Sequence, residues 1–298
     1  MRIGFHVSVG KGLVQTARHA HAIGCDCLQI FVRNARGWRG RVYAEREIAQ
    51  FKQLLAQYHI GPLVVHSCYL VNLASPNPEL LAQSRRAVAD DMERAAALGS
   101  RAVNMHTGYF VGEEAEGAIA TLAASIRGLL AEAPPGVDLW LENAAGRHRL
   151  GTDWRHFARL LEKLDGEPRL GICFDTCHAH AAGHRLDSAR WVGRTLREFD
   201  AVLGLDRLRL IHLNDSRGAA GSQLDRHQHI GRGTIGDRGF RAFLRRRALQ
   251  DRCAILETPL DRPEDNARNI RRARELAGRC RAGVWLGLLR RPPWRSKA

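Results

Sequence analysis

No stretch of this 298-residue chain approaches the roughly 18 consecutive apolar residues that a membrane-spanning helix needs. The opening MRIGFHVSVGKG sets no long apolar segment behind a basic one, as a secretory signal would. The two absences predict a soluble, cytoplasmic protein. Cys-x-x-Cys spacing is also missing: Cys25, Cys27, Cys68, Cys173, Cys177, Cys253 and Cys280 are scattered, odd in number, and carried by a chain too long to need disulfide staples. They read as buried thiols in a reducing compartment. Linkers and low-complexity segments are absent, so nothing divides the chain into separate domains. Acidic residues are in deficit, 31 against 46 basic ones for a formal charge of +15. That imbalance favours a polyanionic partner such as nucleic acid without specifying a fold or a site.

What is present is 45% hydrophobic residues, enough to bury a sizeable core. Eight apolar runs rich in Val, Ile and Leu alternate with amphipathic segments: RIGFH, CLQIFV, PLVVH, AVNMH, VDLWLE, RLGICFD, LRLIHL and CAILE. After Thr152, Phe157, Leu160, Leu161 and Leu164 recur at helical spacing behind a Thr or Asp cap. A last helix is expected to open at Pro263 and close at Gly278, with Ile270, Ala273, Leu276 and Ala277 on one face. Parallel strands buried on both sides read as continuous apolar runs, so eight such alternations predict a (β/α)₈ TIM barrel over residues 1–278. The rival doubly wound sheet lacks the Gly-rich phosphate loop after its first strand. Residues 279–298, ending RRPPWRSKA, read as a flexible basic tail.

In such barrels chemistry gathers at the carboxyl ends of the strands. The residues closing the runs are His6, His66, His106, Glu142, Asp175, His212 and Glu257, while the second run leads into VRNARGW with Asn34, Arg36 and Trp38. One histidine after a strand is ordinarily a hydrogen-bonded structural residue. Several imidazoles and carboxylates converging on one mouth are different, because unpaired burial costs several kcal/mol per charge, on the order expected for buried ions. A cation is the economical remedy. Nitrogen and oxygen ligands without a required thiolate suit zinc or manganese. With His178 from FDTCH and Asp225 and His227 from LDRHQHIG, the supply exceeds what one tetrahedral ion can use and suggests two or three metals sharing a carboxylate. His229 shares the alternation of Asp225 and His227.

The segments VRNARGW, HSCYLVNLASP, NMHTG, LENAAG, FDTCHAHAAG, HLNDS, GSQLDRHQHIGRGTIG and ILETP, in this order from Ile3 to about Gly278, resemble the endonuclease IV family of apurinic/apyrimidinic endonucleases. The resemblance implies three zinc ions, with manganese as a substitute. One would be held by His66, His106 and Glu142; a second by Glu142 as bridge with Asp175, His212 and Glu257; a third by His178, Asp225 and His227. It implies hydrolysis of the DNA backbone 5′ to an abasic site, leaving a 3′-hydroxyl and a 5′-deoxyribose phosphate, with cleaning of blocked 3′ ends as a companion activity. Glu142 and Glu257 would orient the attacking water. Arg36, Tyr69 and Leu70 would enter the duplex at the lesion, with Asn34 beside them, and a monomer acting on double-stranded DNA is expected. His229 has no place in the resemblance and reads as a neighbour of the ligands or a phosphate-facing group. Thr107, His184, Arg185 and Arg232 depart from the family pattern at positions that are not ligands.

Two rivals bear on the same residues. A single-metal sugar isomerase or epimerase of this barrel type would use Glu142, Asp175, His212 and Glu257, but leaves His66, His106, His178, Asp225 and His227 without a task. A non-catalytic zinc-stabilised DNA-binding protein would draw its ligands from close neighbours, often cysteines, whereas these come from separate strands.

Overall fold

The structure, a computed structural model, describes residues 1–111 and 115–278. The basic segment read from the sequence as a tail lies outside the described residues. In chain order the strands are β1 (Arg2–His6), β2 (Leu28–Phe31), β3 (Leu63–His66), β4 (Ala102–His106), β5 (Asp138–Glu142), β6 (Leu170–Asp175), β7 (Leu208–His212), β8 (Asp215–Ser216), β9 (His227–Gln228) and β10 (Cys253–Leu256). Eight of them close a parallel barrel in the order β1-β10-β7-β6-β5-β4-β3-β2, while β8 and β9 form a separate antiparallel pair. The helices α1 (Leu13–Ala22), α2 (Glu45–Gln57), α3 (Pro78–Leu98), α4 (Glu116–Glu132), α5 (Trp154–Lys163), α6 (Thr176–Ala182), α7 (Ala189–Leu203), α8 (Gly236–Leu244) and α9 (Asp265–Leu276) follow the strands. This is the TIM barrel the alternation predicts.

Two cores result from the two faces of each strand. One packs strands against helices, with Phe51, Phe157, Phe199, Phe240 and Phe243 among its fully buried side chains. The other fills the barrel and consists of Cys27, Val64, Ala102, Trp140, Cys173, Leu210, Cys253 and Ile255. Trp140 is its largest member, and a Cβ on Gly171 would stand 2.5 Å from the Trp140 ring, so glycine is required beside it. Truncating Trp140 to alanine would cost about 3–5 kcal/mol in lost contacts and cavity.

Of the two helix starts read from the sequence, the cap of α5 agrees and the opening of α9 differs. Helix α5 is capped by Asp153, whose carboxylate accepts from the Arg155 N–H at 2.9 Å; Thr152 precedes the cap. Helix α9 opens at Asp265, two residues after Pro263, because the Asp265 carboxylate first closes a turn on the Arg262 N–H at 2.7 Å. Ile270, Ala273 and Leu276 are buried on its inner face, and Gly278 follows at φ 76°. The six described cysteines are free and buried. Among the described residues no helix is long and apolar enough to cross a membrane.

Candidate metal centre

Strand periodicity builds the mouth. Two residues beyond the last inward apolar side chain of each run stands an inward polar one: Gln29 after Cys27, His66 after Val64, Asn104 and then His106 after Ala102, Glu142 after Trp140, Asp175 after Cys173, His212 after Leu210 and Glu257 after Ile255. Register sets His106 beside Glu142 and Asp175 beside His212. Local structure adds the rest. Asp175 caps α6 by accepting from the His178 N–H at 2.8 Å, which places His178 over the mouth. Pairing of Ser216 with His227 in β8 and β9 folds the LDRH segment back toward it. Asp215 stabilises that return by accepting from the backbone N–H groups of Gly231, Gly233 and Ile235 at 2.9–3.1 Å.

The nine sequence-predicted ligand residues fall into three groups. His66, His106 and Glu142 form one; Glu142, Asp175, His212 and Glu257 another; His178, Asp225 and His227 the third, with the candidate ligand atoms of each within 4.8 Å of one another. Glu142 belongs to two groups. Its Oε2 lies 3.4 Å from His66 Nε2 and 3.1 Å from His212 Nδ1, and its Oε1 lies 3.1 Å from His178 Nδ1. Asp225 approaches from a loop, its carboxylate 3.1 Å from His178 Nε2 and half exposed. Cys173 and Cys177 also come within reach of the cluster. Burial pushes both thiols up to about 12.

Four of the five histidines are oriented the same way. The Nδ1 of His66 bonds the Ser67 carbonyl at 2.6 Å, that of His178 the Asn143 carbonyl at 2.9 Å, and that of His227 the Glu257 carbonyl at 3.1 Å. His212 uses Nε2, 3.0 Å from the Gln29 amide oxygen. A carbonyl only accepts, so each of these nitrogens carries a proton and the other nitrogen is the one that faces the mouth. Glu142 Oε1, His212 Nδ1 and His227 Nε2 are buried there without any hydrogen bond. Ligand atoms aimed at shared space and left without hydrogen-bond partners are what a cation satisfies, and the donor chemistry fits zinc.

The electrostatics agree. Burial alone would raise the carboxyls of Glu142 and Glu257, but His212 and its neighbours outweigh it and hold both well below the usual carboxylate range. Against the opposing effect of burial, Asp175 and Asp225 hold His178 well above the usual imidazole value, and Cys173, Glu142 and Glu257 do the same for His212. His106, where burial prevails over Glu142, falls to about 4. Burial likewise raises Asp175. The cluster therefore retains protons on some imidazoles because it is short of positive charge.

The DNA-directed residues stand on two neighbouring loops at the rim. Asn34 and Arg36 are exposed, Tyr69 is 53% exposed, and Leu70 is half-buried against the core. The loops are joined by the Tyr69 N–H donating to the Ala35 carbonyl at 2.9 Å. Buried Arg33 anchors the first of them to α3, donating to Asp91 at 2.7 Å and to the Ala87 carbonyl and Asp90 at 2.8 Å. His229 does not join the cluster. Its Nε2 meets Asp261 and its Nδ1 meets Asn269, at 3.0 and 2.9 Å, so it ties the loop after β9 to the start of α9. The departures are structural in kind. Thr107 donates to the Leu150 carbonyl, His184 stacks on Trp154 at 4.2 Å, Arg185 lies 4.5 Å from the Trp191 ring, and Arg232 is exposed. Gln29, Asn104, Asn214 and Asp215 escaped the sequence reading. The amides of the first three donate to Glu257, Glu142 and Asp175 at 2.9, 3.1 and 2.7 Å.

The profile of the xylose isomerase-like TIM barrel family matches residues 17–280. A protein of Methanoculleus marisnigri named "Probable endonuclease 4" is 40% identical over 278 residues, covering 93% of this chain and 99% of the relative. The crystal structure of endonuclease IV from Thermus thermophilus superposes with a TM-score of 0.81 at 35% identity, covering 94% of this chain and all of that one. A D-tagatose 3-epimerase-like protein shares the fold at 22% identity and a TM-score of 0.67, covering 93% of this chain and 98% of its own.

Proposed function

Because the chain belongs to the endonuclease IV family of xylose isomerase-like barrels, we propose that it hydrolyses the phosphodiester on the 5′ side of an abasic site in duplex DNA. The products are a 3′-hydroxyl and a 5′-deoxyribose phosphate. The observation that carries this reading is the convergence of nine imidazole and carboxylate groups in one mouth, in three groups of which two share Glu142. His66, His106 and Glu142 would hold one zinc, Glu142, Asp175, His212 and Glu257 a second, and His178, Asp225 and His227 a third, with manganese able to substitute. Bound zinc supplies Lewis acidity for the phosphate and brings a water's pKa near neutrality.

The chain's own residues do the remainder. Glu257 has one oxygen held by Gln29 and His6 at 2.9 Å, which turns the other to the mouth, 3.2 Å from His212 Nδ1, where it would take a proton from the attacking water. Glu142 is fixed by Asn104 and spans two ligand groups. Tyr69, Leu70 and Arg36, with Asn34 beside them, fill the duplex where the base is missing. Extrusion is least costly there because an abasic nucleotide has little stacking to lose. Removal of 3′-blocking groups follows from the same chemistry, since these too are esters of a phosphate beside a 3′ oxygen. The protein would act as a monomer.

A one-metal epimerase would explain four of the nine residues and leave the group of His178, Asp225 and His227 idle. The deciding experiment is incision of a duplex with one abasic site, before and after chelation. Cleavage 5′ to the site that chelation abolishes and zinc restores is expected; an intact duplex in the zinc-loaded reaction would overturn the reading.

A further inference from the structure

Three of the four outward histidine nitrogens in the mouth rest on backbone carbonyls, which no substitution removes. His212 alone among those four rests on a side chain, that of Gln29. Gln29 is fully buried on β2, three places around the barrel from β7, with β1 and β10 between them. Its amide touches His212 at one end and Glu257 at the other, both at about the length of an ordinary hydrogen bond: 3.0 Å from Oε1 to His212 Nε2 and 2.9 Å from Nε2 to Glu257 Oε1.

The orientation of that amide is determined by chemistry. An ionised carboxylate only accepts, so the NH₂ end must face Glu257 and the oxygen must face His212. An amide oxygen only accepts, so His212 must carry a proton on Nε2, which leaves Nδ1 as the nitrogen that faces Glu142 and Glu257, 3.1 and 3.2 Å away, and that a metal would bind. His6 completes the arrangement. Its Nδ1 lies 2.9 Å from the same Glu257 oxygen, and its ring packs 4.3 Å from Phe31. The Gln29 amide nitrogen also lies 2.9 Å from His6 Nδ1, so both groups hold Oε1 of Glu257 from one side, and Oε2 is the oxygen turned to the mouth, 3.2 Å from His212 Nδ1.

We propose that Gln29 is the positioning residue of this centre: through one amide it selects the His212 tautomer that can bind metal and fixes the Glu257 oxygen that faces the substrate. His6 supports both partners, since its Nδ1 touches the Gln29 amide nitrogen as well as Glu257. For its kinetic arm the inference rests on the hydrolase reading above; its zinc-binding arm does not.

The test compares the whole protein with Gln29→Met and Gln29→Glu. Zinc affinity is measured by competition with a chromophoric chelator, and kcat and KM are measured on an abasic duplex. Gln29→Met keeps the length and removes both hydrogen bonds. Zinc affinity at one site and kcat should each fall about 10- to 100-fold, the usual effect of losing an outer partner of a metal ligand, with KM unchanged. Gln29→Glu keeps the acceptor for His212 and loses the donor to Glu257. It should hold zinc close to wild-type affinity yet lose turnover to a similar degree, a split that general loosening of the barrel would not produce. Wild-type zinc affinity and kcat in a folded Gln29→Met would overturn the proposal. If Gln29→Met lacks cooperative unfolding, Gln29→Glu decides, and wild-type turnover or parallel loss of zinc there overturns it. A wild type that binds zinc and leaves the duplex intact sinks the hydrolase reading, and the zinc titrations then judge Gln29 alone.

Discussion

Glu257 and the histidines near it divide into groups that act and groups that hold. Glu257→Gln preserves shape and both bonds to Oε1 while removing the charge that takes a proton. Incision should fall by about 10²–10⁴-fold, the usual contribution of a positioned general base, with affinity for the abasic duplex retained. Single-turnover cleavage beside a binding titration checks it, and unchanged turnover would remove Glu257 from proton transfer. His227 and His229 sit two residues apart and make a second comparison. His227 turns a buried, unbonded Nε2 into the cluster, whereas both nitrogens of His229 are engaged by Asp261 and Asn269. Atomic absorption on purified variants should therefore show zinc lost from His227→Ala and kept in His229→Ala.

At the scale of loops and strands, the wedge depends on the link between the segment after β2 and the segment after β3. Tyr69 is exposed at the rim, and its backbone, not its ring, makes the bond to Ala35. Tyr69→Ala should thus leave the loops in place and weaken binding of an abasic duplex by roughly 1–3 kcal/mol of lost stacking, with little effect on intact duplex. Equal loss on both duplexes would refute the wedge. The sequence makes the same elements legible to different degrees. Barrel strands are plain because both faces are buried, and the polar residues closing them interrupt apolar runs where nothing in the core calls for a charge. The strands β8 and β9 carry no periodic signal, since two residues are too few for one and their stability comes from Asp215 drawing in distant N–H groups. Gln29 and Asn104 are hidden for another reason: each is an uncharged residue inside an apolar run, where polarity alone does not distinguish a supporting amide from a tolerated one. The carbonyl partners of His66, His178 and His227 leave no trace in side-chain identity at all.

For the whole molecule, the mouth is a charge arrangement whose stability depends on pH and on metal together. In the metal-free protein His178 and His212 are held above the ordinary 6.5, so their contribution is complete below that value and is lost as pH rises through their folded-state values. Glu142 and Glu257 are held below the ordinary 4.5, so their contribution is complete above it and is lost as pH falls through their folded-state values. Metal-free protein should therefore be most stable between about pH 4.5 and 6.5 and should lose stability as pH rises from 6.5 through the raised imidazole values. Zinc competes with the imidazole protons, so its stabilisation should run the other way and grow as pH rises across that same range. At free zinc 100-fold above Kd the gain is about 2.7 kcal/mol per site. Thermal unfolding with chelator and with zinc, repeated across pH, should show two curves that diverge toward alkaline pH, with proton release on binding seen calorimetrically in buffers of different ionisation enthalpy. Curves that stay parallel would mean that zinc does not displace those protons, and that the nine residues in the mouth serve one another instead of a metal.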